Sequence, residues 1–257
     1  MYLDKILAQH REVASQDARP LSELIESARR IGSSRGFAER LAVDSQDSLA
    51  VIAEIKRRSP SRGVLGGDLK PDLIARDYQN AGASCISVLT DSDFFGGSVE
   101  DLQHARKATE LPVLRKDFTV SLHDICDAKI MGADCILLIV AALAKSELLD
   151  FHKFAKELGL DVLVEIHDEP ELEIAIEIES KLIGVNQRDL KTFEVDQKRA
   201  VRMAAKIPSG VLRVAESGVR TRSDAQQLRD AGYDAILVGE TLVTSADITK
   251  TLSEMRV

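Results

Sequence analysis

From residue 48 onward the chain alternates two hydrophobic patterns. Short, nearly continuous apolar runs begin at Leu49 (LAVIAEIK), Cys85 (CISVLT), Pro112 (PVLRKDF), Asp134 (DCILLIV), Asp161 (DVLVEIH), Leu182 (LIGVNQR), Leu212 (LRVAESG) and Asp234 (DAILVGE). Runs of this length, apolar at both parities, suit parallel strands buried on both faces. Between them apolar residues recur at helical spacing, as in Leu148, Phe151, Ala155 and Leu158, or Ala225, Leu228 and Ala231. Four of these segments end on a glycine (Gly82, Gly132, Gly159, Gly232) with an apolar run a few residues later. Glycine there fits the left-handed position just past a helix end.

Eight such units without a break predict an α/β fold, a (β/α)8 TIM barrel over residues 48–257. An open doubly wound sheet gives the same alternation. The strand count and the lack of a GxGxxG after the first run disfavour it. Residues 1–47 stand outside the count, so the domain reading is one barrel with an N-terminal helical extension. Leu3, Ile6 and Leu7, then Leu21, Leu24, Ile25 and Ala28, mark two amphipathic helices split near Pro20, and Phe37 and Leu41 mark a third short turn. The extension reads as a plug, an oligomer contact or a lid.

Composition narrows the partners. A net charge of −8 leaves no general basic face for nucleic acid or a membrane surface. Aromatics at 4%, with no Trp, argue against base stacking. Cys85, Cys126 and Cys135 form no CxxC pair and read as buried thiols of a cytoplasmic protein. The five histidines show no HxH or HxxxH spacing, so no metal site is expected.

Chemistry in such a barrel sits at the C-terminal ends of strands. There the apolar runs are broken by Glu54 and Lys56, by Lys116, by Glu165, by Asn186 and Arg188, and by Glu216 and Ser217. One such end has a structural explanation; five converging on one mouth favour an active site. After the seventh run comes Ser217-Gly218, and after the eighth Gly239-Glu240 opens a short helix. Phosphate commonly binds at these two loops on backbone N–H groups. Lys56 to Gly63 reads as a mobile basic loop that draws in an anion. Phe95 and Phe118 could wall an aromatic substrate or simply pack the core. His167 is in phase with Glu165 but reads best as a surface histidine.

With those residues in place, the sequence resembles the indole-3-glycerol-phosphate synthase family. The resemblance lies in Ile52–Ser61, Ser87–Asp91 with Phe94–Ser98, Pro112–Phe118, Leu137–Leu143, Val162–His167, Gly184–Leu190, Ala215–Val219 and Val238–Glu240, in family order. It implies conversion of 1-(2-carboxyphenylamino)-1-deoxyribulose 5-phosphate to indole-3-glycerol phosphate, CO2 and water, in tryptophan biosynthesis, with no cofactor. By resemblance Lys116 is the general acid, best served by a lowered pKa from a nearby cation. Lys56 contacts substrate anions and shares proton work, Glu54 orients the lysines, and Glu165 serves the dehydration. Asn186 and Ser217 hold substrate or catalytic side chains, and Arg188 and Glu216 complete the polar mouth. Ser59, Pro60, Phe95, Phe118, Leu137 and Ile139 receive the anthranilate ring. Lys56, Ser217, Gly218, Gly239 and Glu240 receive the phosphate. Gln187 replaces an Asn of many relatives and, being out of phase with Asn186, is expected to matter little. The expected partner is this one small molecule, with no nucleic acid and no membrane, and the expected assembly a monomer or weak homo-oligomer. Another phosphosugar barrel, a Schiff-base aldolase or an inactive binding barrel are the rival readings.

Overall fold

Every apolar run becomes a strand: β1 (Ala50–Ile55), β2 (Cys85–Leu89), β3 (Val113–Lys116), β4 (Cys135–Ile139), β5 (Asp161–Ile166), β6 (Leu182–Asn186), β7 (Leu212–Glu216) and β8 (Ala235–Val238). The structure, a computed structural model, describes residues 2–257 apart from 60–62, 67 and 191. All eight strands are parallel, each pairs with its neighbours in sequence, and β8 closes on β1. The strand alternation separates two cores. Ile52, Leu114, Cys135, Leu163 and Val214 fill the barrel interior. Val51, Ala53, Val113, Val164 and Ala215 face the surrounding helices. The registers bring strand ends side by side, with Leu89 beside Lys116, Ile139 beside Glu165 and Asn186 beside Glu216.

Three helices precede the barrel: α1 (Tyr2–Gln16), α2 (Leu21–Arg30) and α3 (Phe37–Asp44). They touch the barrel at different places. On α1, Leu3 and Ile6 join the interior cluster, and Tyr2 lies edge-on to Phe94 and Phe193 beyond β2 and β6. On the same helix Arg11 forms a bidentate pair with Glu147 at 2.8 and 2.9 Å, and His10 Nε2 sits 3.0 Å from Asp91. These partners all follow strand C-termini, so α1 lies across the mouth. Helix α2 packs against the barrel's outer helix over Leu122–Met131. At the other end α3 closes the barrel floor. Phe37 and Leu41 are fully buried, the Ala38 N–H donates to Asp161 at 2.9 Å, and the Arg35 N–H donates to Asp134 at 2.8 Å.

The outer helices are α4 (Pro71–Asn80), α5 (Val99–Ala108), α6 (Leu122–Met131), α7 (Lys145–Glu157), α8 (Glu169–Glu177), α9 (Arg199–Ala204) and α10 (Arg222–Asp230), followed by the short α11 (Glu240–Val243) and α12 (Ile248–Met255). Side chains of Ser98, Ser121, Asp168 and Thr221 cap α5, α6, α8 and α10 by accepting a backbone N–H of the first turn. The four glycines read as helix stops have φ of 90°, 98°, 71° and 93°. At each, the residue after the glycine donates back to the last turn, as Ala83 does to Tyr78 at 2.9 Å and Tyr233 to Leu228 at 3.0 Å. These stops turn the chain sharply into the next strand. Among the described residues no helix is long and apolar enough to cross a membrane.

Candidate active site

A cleft opens at the C-terminal ends of the strands. It is lined by Glu54, Lys56, Ser59, Phe95, Lys116, Phe118, Leu137, Ile139, Glu165, Asn186, Arg188, Glu216, Ser217, Gly218, Gly239 and Glu240. Sequence reasoning named every one of these. Pro60 lies outside the described residues. Leu89, Asp91, Leu190, Phe193, Val219 and Arg220 also line the cleft and were not foreseen. Their strand neighbours ended in apolar or ordinary loop residues, which carry no signal by alternation alone.

At the floor, Lys116 Nζ lies 3.4 Å from Glu165 Oε2 and 3.7 Å from Glu216 Oε2. Beside them Lys56 Nζ donates to Glu54 at 2.5 Å. Three carboxylates, all with side chains buried, thus share the barrel interior with two ammonium groups. Burial works against the Lys116 charge, but Glu165, Glu216 and Glu54 outweigh it and raise the lysine above its ordinary value. The expectation of a lowered Lys116 pKa is therefore wrong. Sequence showed the cation Lys56 nearby but not that three carboxylates would surround the amine.

The carboxylates differ among themselves. Burial and the neighbouring Glu165 push Glu216 well above the usual carboxylate range, against the pull of Lys116. For Glu165 burial acts upward too, yet Lys116, His167 and hydrogen bonds from Asn186 and Glu216 bring it below the ordinary value. Of the two, Glu216 is the one favoured to hold a proton and Glu165 the one favoured to be ionised.

Glycines make this crowding possible. A Cβ at Gly184 would strike Glu216 Oε1 and approach Leu163, and one at Gly239 would strike Glu54 Oε1. Gly239 was read only as an opening for phosphate. Its φ is −115°, so it is needed here for space rather than for backbone freedom.

The loop after β7 is bent by two successive left-handed residues, Ser217 at φ 67° and Gly218 at φ 79°. Its carbonyls are tied back by side chains. Gln187 Nε2 donates to the Ser217 oxygen at 2.8 Å, Gln197 Nε2 to the Gly218 oxygen at 2.7 Å, and Thr241 Oγ1 to the Val219 oxygen at 2.8 Å. A trans peptide points its N–H opposite its carbonyl. Holding the first two carbonyls back therefore turns the Gly218 and Val219 N–H groups the other way. Neither has an acceptor among the described residues, which suits an anion. Gln187, expected to matter little, is buried and holds this turn. The out-of-phase argument looked only into the barrel, whereas the side chain reaches sideways to the next loop.

Two further readings change. His167 is not a surface residue: its side chain is only 12% exposed, with Nε2 3.5 Å from Glu165 and Nδ1 3.0 Å from Glu171. The described residues of the basic stretch after β1 are held in place rather than loose. Arg58–Ser59 pairs with Gly63–Val64 as a small antiparallel ribbon, Arg57 forms a bidentate pair with Asp101, and Arg58 Nε donates to the Phe94 oxygen at 3.1 Å. Arg188 donates to the Phe193 oxygen at 3.0 Å while lining the cleft. On the apolar side, the Phe95 and Phe118 rings lie 6.3 Å apart, with Leu137 and Ile139 completing the wall. His10, Asp91 and Asp117, far apart in sequence, also meet at the rim. Both carboxylates there already accept backbone or side-chain N–H and O–H groups.

The chain matches the family described as Indole-3-glycerol phosphate synthase over residues 3–255. It is 46% identical over 247 residues to the indole-3-glycerol phosphate synthase of Chloroherpeton thalassium, covering 95% of each chain. It is 48% identical over 249 residues to that of Chlorobium phaeovibrioides, covering 96% of each. Solved structures with the same fold include 3-hexulose-6-phosphate synthase from Salmonella typhimurium, with a TM-score of 0.63 at 12% identity over 80% of this chain and 96% of that one. Another is thiamine phosphate pyrophosphorylase from Pyrococcus furiosus, with 0.60 at 14% identity over 83% and 95%. A match of this length, with relatives at this identity over nearly their whole chains, means that the chain belongs to the indole-3-glycerol phosphate synthase family.

Proposed function

We propose that the protein closes the indole ring of 1-(2-carboxyphenylamino)-1-deoxyribulose 5-phosphate, releasing CO2 and water. The reading rests on one observation above the others: a charged lysine held among three carboxylates, between a phenylalanine wall and a loop with outward N–H groups.

The phosphate rests on the Gly218 and Val219 N–H groups and on the Gly239-Glu240 turn, with Lys56 and Ser217 beside it. The anthranilate ring lies against Phe95, Phe118, Leu137 and Ile139, near Ser59 and Pro60. Lys116 gives a proton to the ribulose carbonyl oxygen as the ring carbon attacks it. The carboxylate leaves as CO2, its bonding electrons restoring the ring. The new hydroxyl then leaves as water while Glu165 accepts and returns protons. One proton is taken up overall, because a carboxylate anion departs as a neutral gas. Glu54 holds Lys56, Asn186 and Glu216 hold Glu165, and Arg188 braces the rim. A lysine kept charged is a proton donor rather than an amine nucleophile, which favours this reading over a Schiff-base aldolase.

The test is an assay with this substrate that follows indole fluorescence, with borohydride added in parallel. Product without a trapped lysine adduct is expected. Folded protein that yields no product overturns the reading, and a trapped adduct favours the aldolase. We place the enzyme in the cytoplasm, in keeping with three free, buried thiols. We also propose that residues 1–47 and the barrel form a single structural domain.

A further inference from the structure

Like charges crowd the cleft floor, and something must decide which member of the Glu165/Glu216 pair carries the negative charge. Both side chains are buried, and both face Lys116 at similar distances, 3.4 and 3.7 Å. Lys116 alone therefore discriminates weakly between them. Asn186 favours the charge on Glu165, and a second contribution comes from behind that carboxylate. There the His167 ring stands with Nε2 3.5 Å from Glu165 Oε1, whereas among the described residues no imidazole pairs with Glu216, whose Oε1 has no hydrogen-bond partner there.

The histidine is itself fixed. Glu171, in the first turn of α8, accepts from the His167 backbone N–H at 2.7 Å and lies 3.0 Å from Nδ1. A carboxylate beside Nδ1 requires a proton there, so the group turned toward Glu165 is Nε2. That nitrogen is buried and has no hydrogen-bond partner among the described residues. We infer that His167, locked by Glu171, is a positioning residue that keeps the charge of the Glu165/Glu216 pair on Glu165. The inference rests on the proton-transfer role given to Glu165 above and adds the group that prepares it.

The charged groups facing the imidazole are Glu165 on β5, Glu171 on α8 and Arg199 on α9. Burial and Arg199 disfavour the imidazolium, and the two carboxylates outweigh them, so His167 stays protonated above its ordinary range. The device thus persists to higher pH than an ordinary histidine would allow. It fails at high pH, where the ring loses its charge, and at low pH, where Glu165 takes a proton.

The test compares wild type, His167→Gln and Glu171→Gln without substrate and then in turnover. In protein carrying 13C-carboxyl glutamate, the Glu165 resonance is identified by its loss in Glu165→Gln. Its titration midpoint should rise by about one pH unit in His167→Gln, as expected for removing one nearby opposite charge, and by less in Glu171→Gln. The acidic limb of kcat should move by the same amount, with KM little changed. A Glu165 midpoint unchanged in His167→Gln overturns the inference. Wild-type protein that makes no indole product, with the resonance shift intact, would instead overturn the proposed function and leave the charge assignment standing.

Discussion

Lys116 shows how a single residue's chemistry depends on partners that strand alternation cannot reveal. Parity alone put Lys116, Glu165 and Glu54 on the inner face of the barrel, and all three are there. It could not tell whether the lysine would meet cations or anions, since the interior contacts join strands β1, β3, β5 and β7. Because the carboxylates keep it charged, Lys116→Met should lower kcat by about 100-fold or more, the size of a lost general acid. A change confined to KM would show that it only binds. For Gln187 the expected signature is the reverse. Its bond to the Ser217 oxygen orients a neighbouring N–H, and a typical hydrogen bond contributes about 1 kcal/mol. Gln187→Ala should raise KM about 3- to 10-fold and weaken inhibition by inorganic phosphate equally, with kcat nearly unchanged. Equal phosphate inhibition in the variant would remove the residue from the anion site.

At the scale of elements, the eight strands and their glycine-stopped helices were legible because each carries its own local signal. Burial on both faces leaves an unbroken apolar run, and a left-handed helix end selects glycine. The exact fit between neighbouring strands leaves no such mark. Gly184 sits inside β6, where a glycine normally weakens a strand. It is there because Glu216 on β7 fills the space a methyl group would take. Gly184→Ala should therefore cost about 1–3 kcal/mol by overpacking. Its kcat should fall too, because Glu216 is displaced against Lys116 and Glu165. In a Glu216→Ala background the stability loss should largely disappear, a coupling that a double-mutant cycle in denaturant reads directly. A loss that persists there would place the strain in the backbone instead.

Across the whole molecule, the segment that the strand count left over does two jobs at opposite ends of the barrel. The sequence offered plug and lid as alternatives because amphipathic spacing shows that a helix packs but not on what. Helix α3 fills the floor with Phe37 and Leu41, while α1 crosses the mouth on Leu3 and Ile6, polar contacts and three ring contacts. The two ends should respond differently. Phe37→Ala removes a fully buried ring and should cost about 3–5 kcal/mol, with near-normal kinetics in the folded fraction. The Arg11–Glu147 pair is partly exposed and contributes at most about 1 kcal/mol. The His10–Asp91 contact adds a pH dependence. Burial opposes the His10 charge, but its bond to Asp91 and the nearby Asp117 and Asp124 raise its pKa, while Asp91 lies below the usual carboxylate value. A raised histidine stabilises the docked helix fully below its unfolded value and loses that contribution as pH rises through the folded one. Amide exchange in α1 should therefore quicken from pH 6 to about pH 8 relative to that in α3. In His10→Gln that difference should vanish, whereas exchange in α3 should be unaffected. If α1 and α3 instead loosen together, the extension moves as one body and the mouth cannot open without the floor.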